Sequence, residues 1–114
     1  RFWMSRLGGW QRPPGSIAES VTLTPTLEAW WADRARVDAK MRHWADTLRH
    51  IDLHGALTWH SGALGRDVTK PRATCIAHMF NHQTHHRGQV HAMLTEAGAD
   101  PGVTDLVFMP AGDG

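Results

Sequence analysis

The longest regular pattern in the chain is an alternation of three- and four-residue steps between apolar positions. Its members are Leu27, Trp30, Val37, Met41, Trp44, Leu48 and Ile51, with Arg34 as the one polar position. Such steps place side chains on one face of an α-helix, so the pattern predicts a long helix from about residue 26 to residue 51. Thr24, followed by Pro25, predicts the N-terminal cap of this helix.

A second apolar stripe predicts another long helix, capped by Thr74 and ended by Gly98. The members of this stripe are Ile76, Met79, Phe80, Val90, Leu94 and Ala97. Between the two helices, residues 57–60 and 67–69 are short β-capable runs on either side of a glycine-containing connection. They predict a small hairpin that precedes the last long helix.

The N-terminal part of the chain predicts little regular structure. Residues 1–7 are typical of the tail of a helix that Gly8 and Gly9 stop, and residues 8–23 predict a loop anchored by Trp10 and Ile17. Two long helices, a hairpin and a helical stub cannot cover the stripes of a closed bundle, which needs four such helices. We therefore expect residues 1–114 to be one domain that supplies about two and a half of these four helices. Either N-terminal helices of the bundle are absent from this sequence, or another subunit supplies the remaining helices.

Composition narrows the class of protein. The 114 residues are 41% hydrophobic and 20% charged, which favours a soluble globular domain. A net charge of +1 without a basic block argues against a nucleic-acid partner. No apolar run approaches the roughly 18 residues that would span a bilayer, so no membrane association is expected. A single cysteine excludes an internal disulfide and favours a reducing, cytoplasmic location.

The cysteine and the tryptophans each allow two interpretations. Cys75 is expected to be a buried structural thiol, with an extra soft metal ligand as the alternative. Trp3, Trp30 and Trp44 occupy positions typical of a core. Trp31 and Trp59 either belong to the core as well or line the mouth of a substrate pocket.

Histidine is the most unusual component of the chain, because five of its nine His fall between residues 78 and 91. His78, His82 and His86 are four residues apart, so their rings share one face of the predicted helix. Neighbouring imidazoles at this spacing both reach one divalent ion, whereas the outer two lie about 12 Å apart along the axis. A third ligand is therefore expected from another helix. No Glu lies between the pair, which excludes the H-E-x-x-H protease motif.

Spacing alone leaves a second interpretation open, in which these histidines are solvated side chains. Asn81, Gln83 and Gln89 favour the metal interpretation, since amide groups beside a ligating imidazole orient its ring. The remaining histidines of the first two-thirds of the chain are scattered and fit no motif: His43, His50, His54 and His60.

Residues 81–89, NHQTHHRGQ, together with residues 90–95 and 100–106, resemble the C-terminal half of the DinB family (DinB/YfiT-like metalloenzymes). The late helix of that family carries H-x-x-x-H-[RK]-G-Q. The fixed positions of this pattern are matched by His82, His86, Arg87, Gly88 and Gln89. Residues 1–7 resemble the end of the family's second helix, so the resemblance covers nearly the whole chain.

The resemblance implies an all-α fold, an up-down-down-up four-helix bundle with the hairpin before its last helix. It also implies a divalent metal, zinc or nickel, held by three His, of which two match His82 and His86. The resemblance further implies that the chain is the C-terminal three-quarters of this bundle and that the third family ligand lies upstream of Arg1. His78 or a His of a partner chain is a candidate substitute, unless the chain binds no metal. His85 and His91 match no family ligand and are expected to be exposed or to support the ligands.

The family further implies chemistry on a small molecule. Its relatives suggest a metal-dependent transferase that uses a low-molecular-weight thiol, or a metal-dependent hydrolase. The alternative is a non-catalytic metal-binding stress protein, induced by damage, that acts through dimerisation or a partner. A homodimer is expected in either case, because the exposed stripes need a cover. The catalytic residues and the substrate do not follow from the sequence.

Overall fold

The computed structural model describes residues 1–110, and within them the chain is mostly helical with a two-stranded sheet. The helices are α1 (Phe2–Leu7), α2 (Leu27–Thr47) and α3 (Arg72–Glu96), and the strands are β1 (Ala56–Ser61) and β2 (Arg66–Pro71). Short 3-10 turns occupy Ala18–Thr22, His50–Leu53 and Leu106–Phe108. The chain divides into two compact units, residues 1–79 and the part from Phe80 onward, with the boundary inside α3.

The start of α2 differs from the prediction by two residues. Thr26 has an extended backbone, and its hydroxyl oxygen accepts a hydrogen bond of 3.1 Å from the N–H of Ala29. That bond satisfies one of the N–H groups that lack a partner inside the helix. The cap predicted at Thr24 is therefore wrong, and Pro25 lies outside the helix.

The end of α2 also comes earlier than predicted, at Thr47 rather than Ile51. Leu48 adopts an extended backbone with ψ of 131°, which breaks the helical path. A separate 3-10 turn then begins, because the carboxylate of Asp52 accepts a 2.9 Å hydrogen bond from the N–H of Arg49. This local bond competes with continuation of the helix.

The predicted hairpin is confirmed. Strands β1 and β2 pair antiparallel with Trp59 opposite Val68, and the hydroxyls of Thr58 and Thr69 lie 2.8 Å apart on neighbouring strands. The β-branched side chains suit this cross-strand packing.

Helix α3 follows β2 without a loop. Its first residue, Arg72, donates its backbone N–H to the carbonyl of Gly55 at 2.9 Å, so the helix begins two residues before the predicted Thr74 cap. The guanidinium of Arg72 donates a second bond, 2.6 Å long, to the carbonyl of Leu7 at the end of α1. Both bonds tie the start of α3 to other parts of the first unit.

The C-terminal end of α3 agrees with the prediction. Gly98 has φ of +82°, a backbone conformation that costs little only for glycine. Its N–H donates to the carbonyl of Thr95, and the N–H of Ala99 donates to the carbonyl of Leu94. This pair of bonds is the Schellman motif, which satisfies the last carbonyls of a helix.

The core of the first unit is small and lies where α1 meets the start of α3. Met4, Leu7, Cys75 and Met79 form it, each 3% exposed or less. Partly buried side chains surround them: Trp3, Trp10, Met41, Trp44, Leu57, Trp59 and Ile76. The prediction that Cys75 is buried is confirmed.

Several predicted core positions are exposed instead. Ile17 is 62% exposed and does not anchor the loop, whereas Trp10 does. Trp30, at 47% exposed, is not part of the core, and Trp31 is 69% exposed. Trp59 lies against the core, with its ring edge-to-face at 5.5 Å from that of Trp3.

The apolar stripes of the long helices are covered only in part. On α2, Met41 and Trp44 reach the core, whereas Leu27 is 74% exposed. On α3, the stripe is buried at Met79, but Phe80, Val90 and Leu94 are exposed. Residues 1–110 thus show two long helices, a six-residue helix and a hairpin. Within them, no helix is both long enough and apolar enough to cross a membrane.

Candidate functional site

His82 and His86 lie one turn apart on α3 and direct the same ring nitrogen towards each other. Their Nε2 atoms are 3.0 Å apart, and the rings meet at 90° with centroids separated by 4.5 Å. Both side chains are exposed. The regular helix produces this arrangement, because residues four apart stand nearly above one another on the same face.

The side chain of Gln89 fixes the orientation of the His86 ring. Nδ1 of His86 lies 2.8 Å from Oε1 of Gln89, and an amide oxygen only accepts hydrogen bonds. Nδ1 of the neutral ring therefore carries the proton, and Nε2 of His86 presents a lone pair. This lone pair faces Nε2 of His82, which lies 3.0 Å away.

This geometry is close to that of two ligands on one metal ion. Nitrogens bound at about 2.0–2.1 Å to a tetrahedral zinc lie roughly 3.3–3.4 Å apart. Small rotations of the two side chains would widen the observed 3.0 Å to that separation. A cation bound to Nε2 of His86 would find Gln89 already holding the opposite side of the ring, as ligand-orienting groups do.

The other candidates of the histidine cluster have different surroundings. His78 packs edge-to-face on Trp3, with centroids 5.1 Å apart, inside the first unit. His85 is exposed, with its ring 5.2 Å from that of His86. Nε2 of His91 lies 3.3 Å from the carbonyl of Gly102, so this ring holds the chain after α3.

The two remaining amides of the segment do not support the pair. Among residues 1–110, the side chains of Asn81 and Gln83 form no hydrogen bond, so Gln89 is the amide that contacts a candidate ligand. Nor do three His, Cys, Asp or Glu side chains in the described part of the chain meet around one point where an ion would fit.

The charge beside the pair is positive. The guanidinium of Arg87 donates to the hydroxyl of Thr84 at 3.0 Å, and within the described residues it forms no salt bridge. Any cation bound at His82 and His86 must therefore be held by coordination to nitrogen rather than by attraction to a negative surface.

A second histidine contact was missed by the sequence analysis. Nδ1 of His50 and Nε2 of His54 lie 3.4 Å apart at the end of the 3-10 turn, although these residues were expected to fit no motif. Their four-residue spacing is the signal that would have found the contact. His60, on β1, forms a 2.9 Å pair with the carboxylate of Asp67 on β2.

Comparison with known proteins assigns the chain at the level of family. A sequence profile of the DinB family matches residues 2–113, which is nearly the full length. No curated protein sequence and no solved structure matches the chain. The match includes the helix that carries His82, His86 and Gln89. The chain therefore belongs to the DinB family.

Proposed function

We propose that the chain binds a divalent metal ion, zinc or nickel, through Nε2 of His82 and Nε2 of His86. The observation that supports this proposal is the convergence of these two nitrogens to 3.0 Å with Gln89 bonded to the opposite nitrogen of His86. Imidazole nitrogen suits both metals. Membership of the DinB family agrees with this assignment.

Two histidines leave part of the coordination sphere open. In the complete four-helix bundle that we propose for this single domain, a third His would come from upstream of Arg1. His78 or a His of a partner subunit in a homodimer is the substitute that we consider next. A bound metal with an open position lowers the pKa of a bound water towards 7 or takes up a thiolate.

The activity we favour is group transfer that depends on a low-molecular-weight thiol, acting on a small molecule in the cytoplasm. Metal-dependent hydrolysis uses the same open position and is the second form of the proposal. Exposure of both rings agrees with access for a small ligand. A metal-binding protein without catalysis remains the competing function, and the thiol experiment below separates it from the first.

The metal site is tested by titrating the metal-free 114-residue chain with Ni²⁺. His82→Ala and His86→Ala should each weaken binding about 100-fold, because each variant removes one of the two protein ligands. His85→Ala is the matched control, since its ring lies on the same turn but shares no hydrogen bond with the pair, and it should change the Kd less than about twofold. Equal losses in His85→Ala and His86→Ala would refute the assignment.

The chemistry is tested on the Co²⁺-loaded chain with cysteine as the probe thiol. A new thiolate-to-cobalt absorption band that is absent in His86→Ala would support thiol-dependent chemistry. If the chain binds Co²⁺ through the pair but cysteine produces no band, the thiol-dependent form of the proposal is overturned. A band of equal size in wild type and His86→Ala would mean that the thiol binds cobalt elsewhere.

A further inference from the structure

The first unit contains a cavity of about 430 Å³ that is distant in sequence from the histidine pair. One wall is the loop of residues 10–14, and the other is the middle of α2, where Arg36, Val37 and Lys40 line it. This volume lies within the range of roughly 300–1,000 Å³ that is typical of small-molecule sites. Buried Pro13 and half-buried Trp10 give the loop wall a fixed position.

The lining is strongly cationic. Arg1, Arg12, Arg36 and Lys40 contribute to it, and none of the lining residues is Asp or Glu. Asp33, which lies outside the lining, forms ion pairs with Arg1 and Arg36 and compensates part of their charge. The side chains of Arg12 and Lys40 form no ion pair within residues 1–110.

Aromatic rings hold these two unpaired cations in place. Nζ of Lys40 lies 4.3 Å from the ring centroid of Trp10, and the guanidinium carbon of Arg12 lies 5.9 Å from that of Phe2. A ring attracts a cation through its quadrupole but carries no net charge, so it positions the cation without neutralising it. Arg12 and Lys40 therefore remain able to pair with an anion.

Arg12 also affects a second cation, Arg6. The pKa of Arg6 is lowered, first by burial and then by the charge of Arg12. An anion beside Arg12 would relieve this repulsion, since opposite charges favour each other's ionised forms.

We propose that this cavity binds a small organic dianion, with a phosphate monoester as the class that fits best, between Arg12 and Lys40. Arg1 and Arg36 are the other two cations of the lining, and Val37 and Trp10 supply apolar surface for the organic part of the ligand. A phosphate monoester carries close to two charges at pH 7, because its second pKa is about 6. Arginine and lysine are the side chains that proteins use for phosphate oxygens.

Calorimetric titration of the full 114-residue chain with phenyl phosphate at pH 7.5 tests the proposal. EDTA is included so that phosphate cannot bind through a metal. Arg12→Ala and Lys40→Ala should each weaken binding about tenfold, as expected when one charged partner of a phosphate is removed. Lys40→Arg should keep most of the affinity, since it retains the charge above Trp10.

The matched control is Arg42→Ala, which removes the same charge from the same helix but from a residue outside the lining. It should alter the Kd of phenyl phosphate less than about twofold, because exposed charges at a distance are screened by salt. Similar losses in Arg42→Ala and Lys40→Ala would show a net-charge effect and overturn the proposal. Circular dichroism confirms that each variant is folded before its Kd is compared.

Two further probes separate the ligand classes. Benzoate has a similar ring but one charge, and it should bind about tenfold more weakly than phenyl phosphate if charge balance selects the ligand. Inorganic phosphate tests the contribution of the apolar wall and should also bind more weakly. Equal affinity for benzoate and phenyl phosphate, or no binding of phenyl phosphate, would overturn the assignment. His82 is not part of the cavity lining, so His82→Ala should bind phenyl phosphate as the wild type does. The phosphate proposal and the metal proposal can therefore fail independently of each other.

Discussion

Two pairs of histidines in this chain have the same four-residue spacing but different surroundings. His82 and His86 lie within a regular helix and bring together two equivalent nitrogens, the Nε2 atoms, at 3.0 Å. His50 and His54 lie at the end of a 3-10 turn and bring together unlike nitrogens, Nδ1 and Nε2, at 3.4 Å. The first pair has Gln89 on the far nitrogen of His86. Within the described residues, the rings of the second pair have no such partner.

A four-residue spacing is enough to bring two histidine rings into contact, as both pairs do. A hydrogen bond to a third side chain, such as Gln89, is needed to fix which ring nitrogen carries the proton. A ring that is free to choose its tautomer must lose entropy and adjust its proton before it can bind a cation. Gln89 removes that cost for His86. Next to His50 and His54, Arg49 and Asp52 instead form an ion pair with each other.

The largest expected difference concerns the double variants. His82→Ala/His86→Ala should lower the affinity for Ni²⁺ at least about 100-fold, because the pair at His50 and His54 cannot replace the lost site. His50→Ala/His54→Ala should leave the Kd within about twofold of wild type. Titration of both double variants under the same conditions measures the difference. If both double variants lose affinity for Ni²⁺ equally, the different surroundings of the two pairs do not determine metal binding.

A smaller effect is expected from Gln89→Leu, which keeps the size of the side chain and removes its hydrogen bond. Loss of a group that orients a metal ligand weakens binding about 10-fold to 100-fold, and we expect the lower end at this exposed site. Asn81→Leu is the matched control, since Asn81 is an amide of the same helix that forms no hydrogen bond in the described structure. Gln89→Glu should retain metal affinity, because its carboxylate also accepts from Nδ1. Unchanged Ni²⁺ affinity in Gln89→Leu would show that Gln89 does not orient His86 for metal binding.

The smallest effect concerns the turn that carries His50. The pKa of Asp52 is lowered from 3.8, first by the hydrogen bond from the N–H of Arg49 and then by the Arg49 side chain. Because the pKa of Asp52 is lower in the folded state, the stabilisation of the turn by the ionised carboxylate is present above pH 3.8. This stabilisation is lost as the pH falls through the lowered pKa. The Arg49 amide signal in an NMR titration should therefore hold its position down to about pH 4 and shift upfield below it. Asp52→Asn should show the shifted position at neutral pH. An amide shift that already changes at pH 6 would contradict this account.

Elements whose signals are local were predicted well from the sequence. The hairpin and the end of α3 at Gly98 depend on residues within a few positions of each other, and both are confirmed. The start of α2 was misplaced because Thr24 and Thr26 offer equal capping chemistry in the sequence. Only the backbone conformation decided for Thr26 over Thr24, and the Gly55 carbonyl decided the start at Arg72.

The two candidate sites, the histidine pair and the cationic cavity, also differ in how local their sequence signals are. The contact of His82 and His86 follows from helical spacing, and Gln89 lies one turn away, so the sequence sufficed to nominate all three. The cationic cavity did not emerge from the sequence, because Arg12 and Lys40 are separated by 28 positions without any shared period. Exposure of Trp30 was missed for a related reason, since an apolar stripe does not reveal what covers it.

The bond from Arg72 to the Leu7 carbonyl spans 65 positions of the chain, and it bears on the order in which the first unit forms. Closing a flexible loop of that length costs roughly 4 kcal/mol of chain entropy, and a six-residue helix such as α1 is unstable by itself. The hairpin and the start of α3 require far shorter loops and therefore form first. Helix α1 then docks on a surface already made, so its amides should be the earliest of the three helices to exchange with solvent.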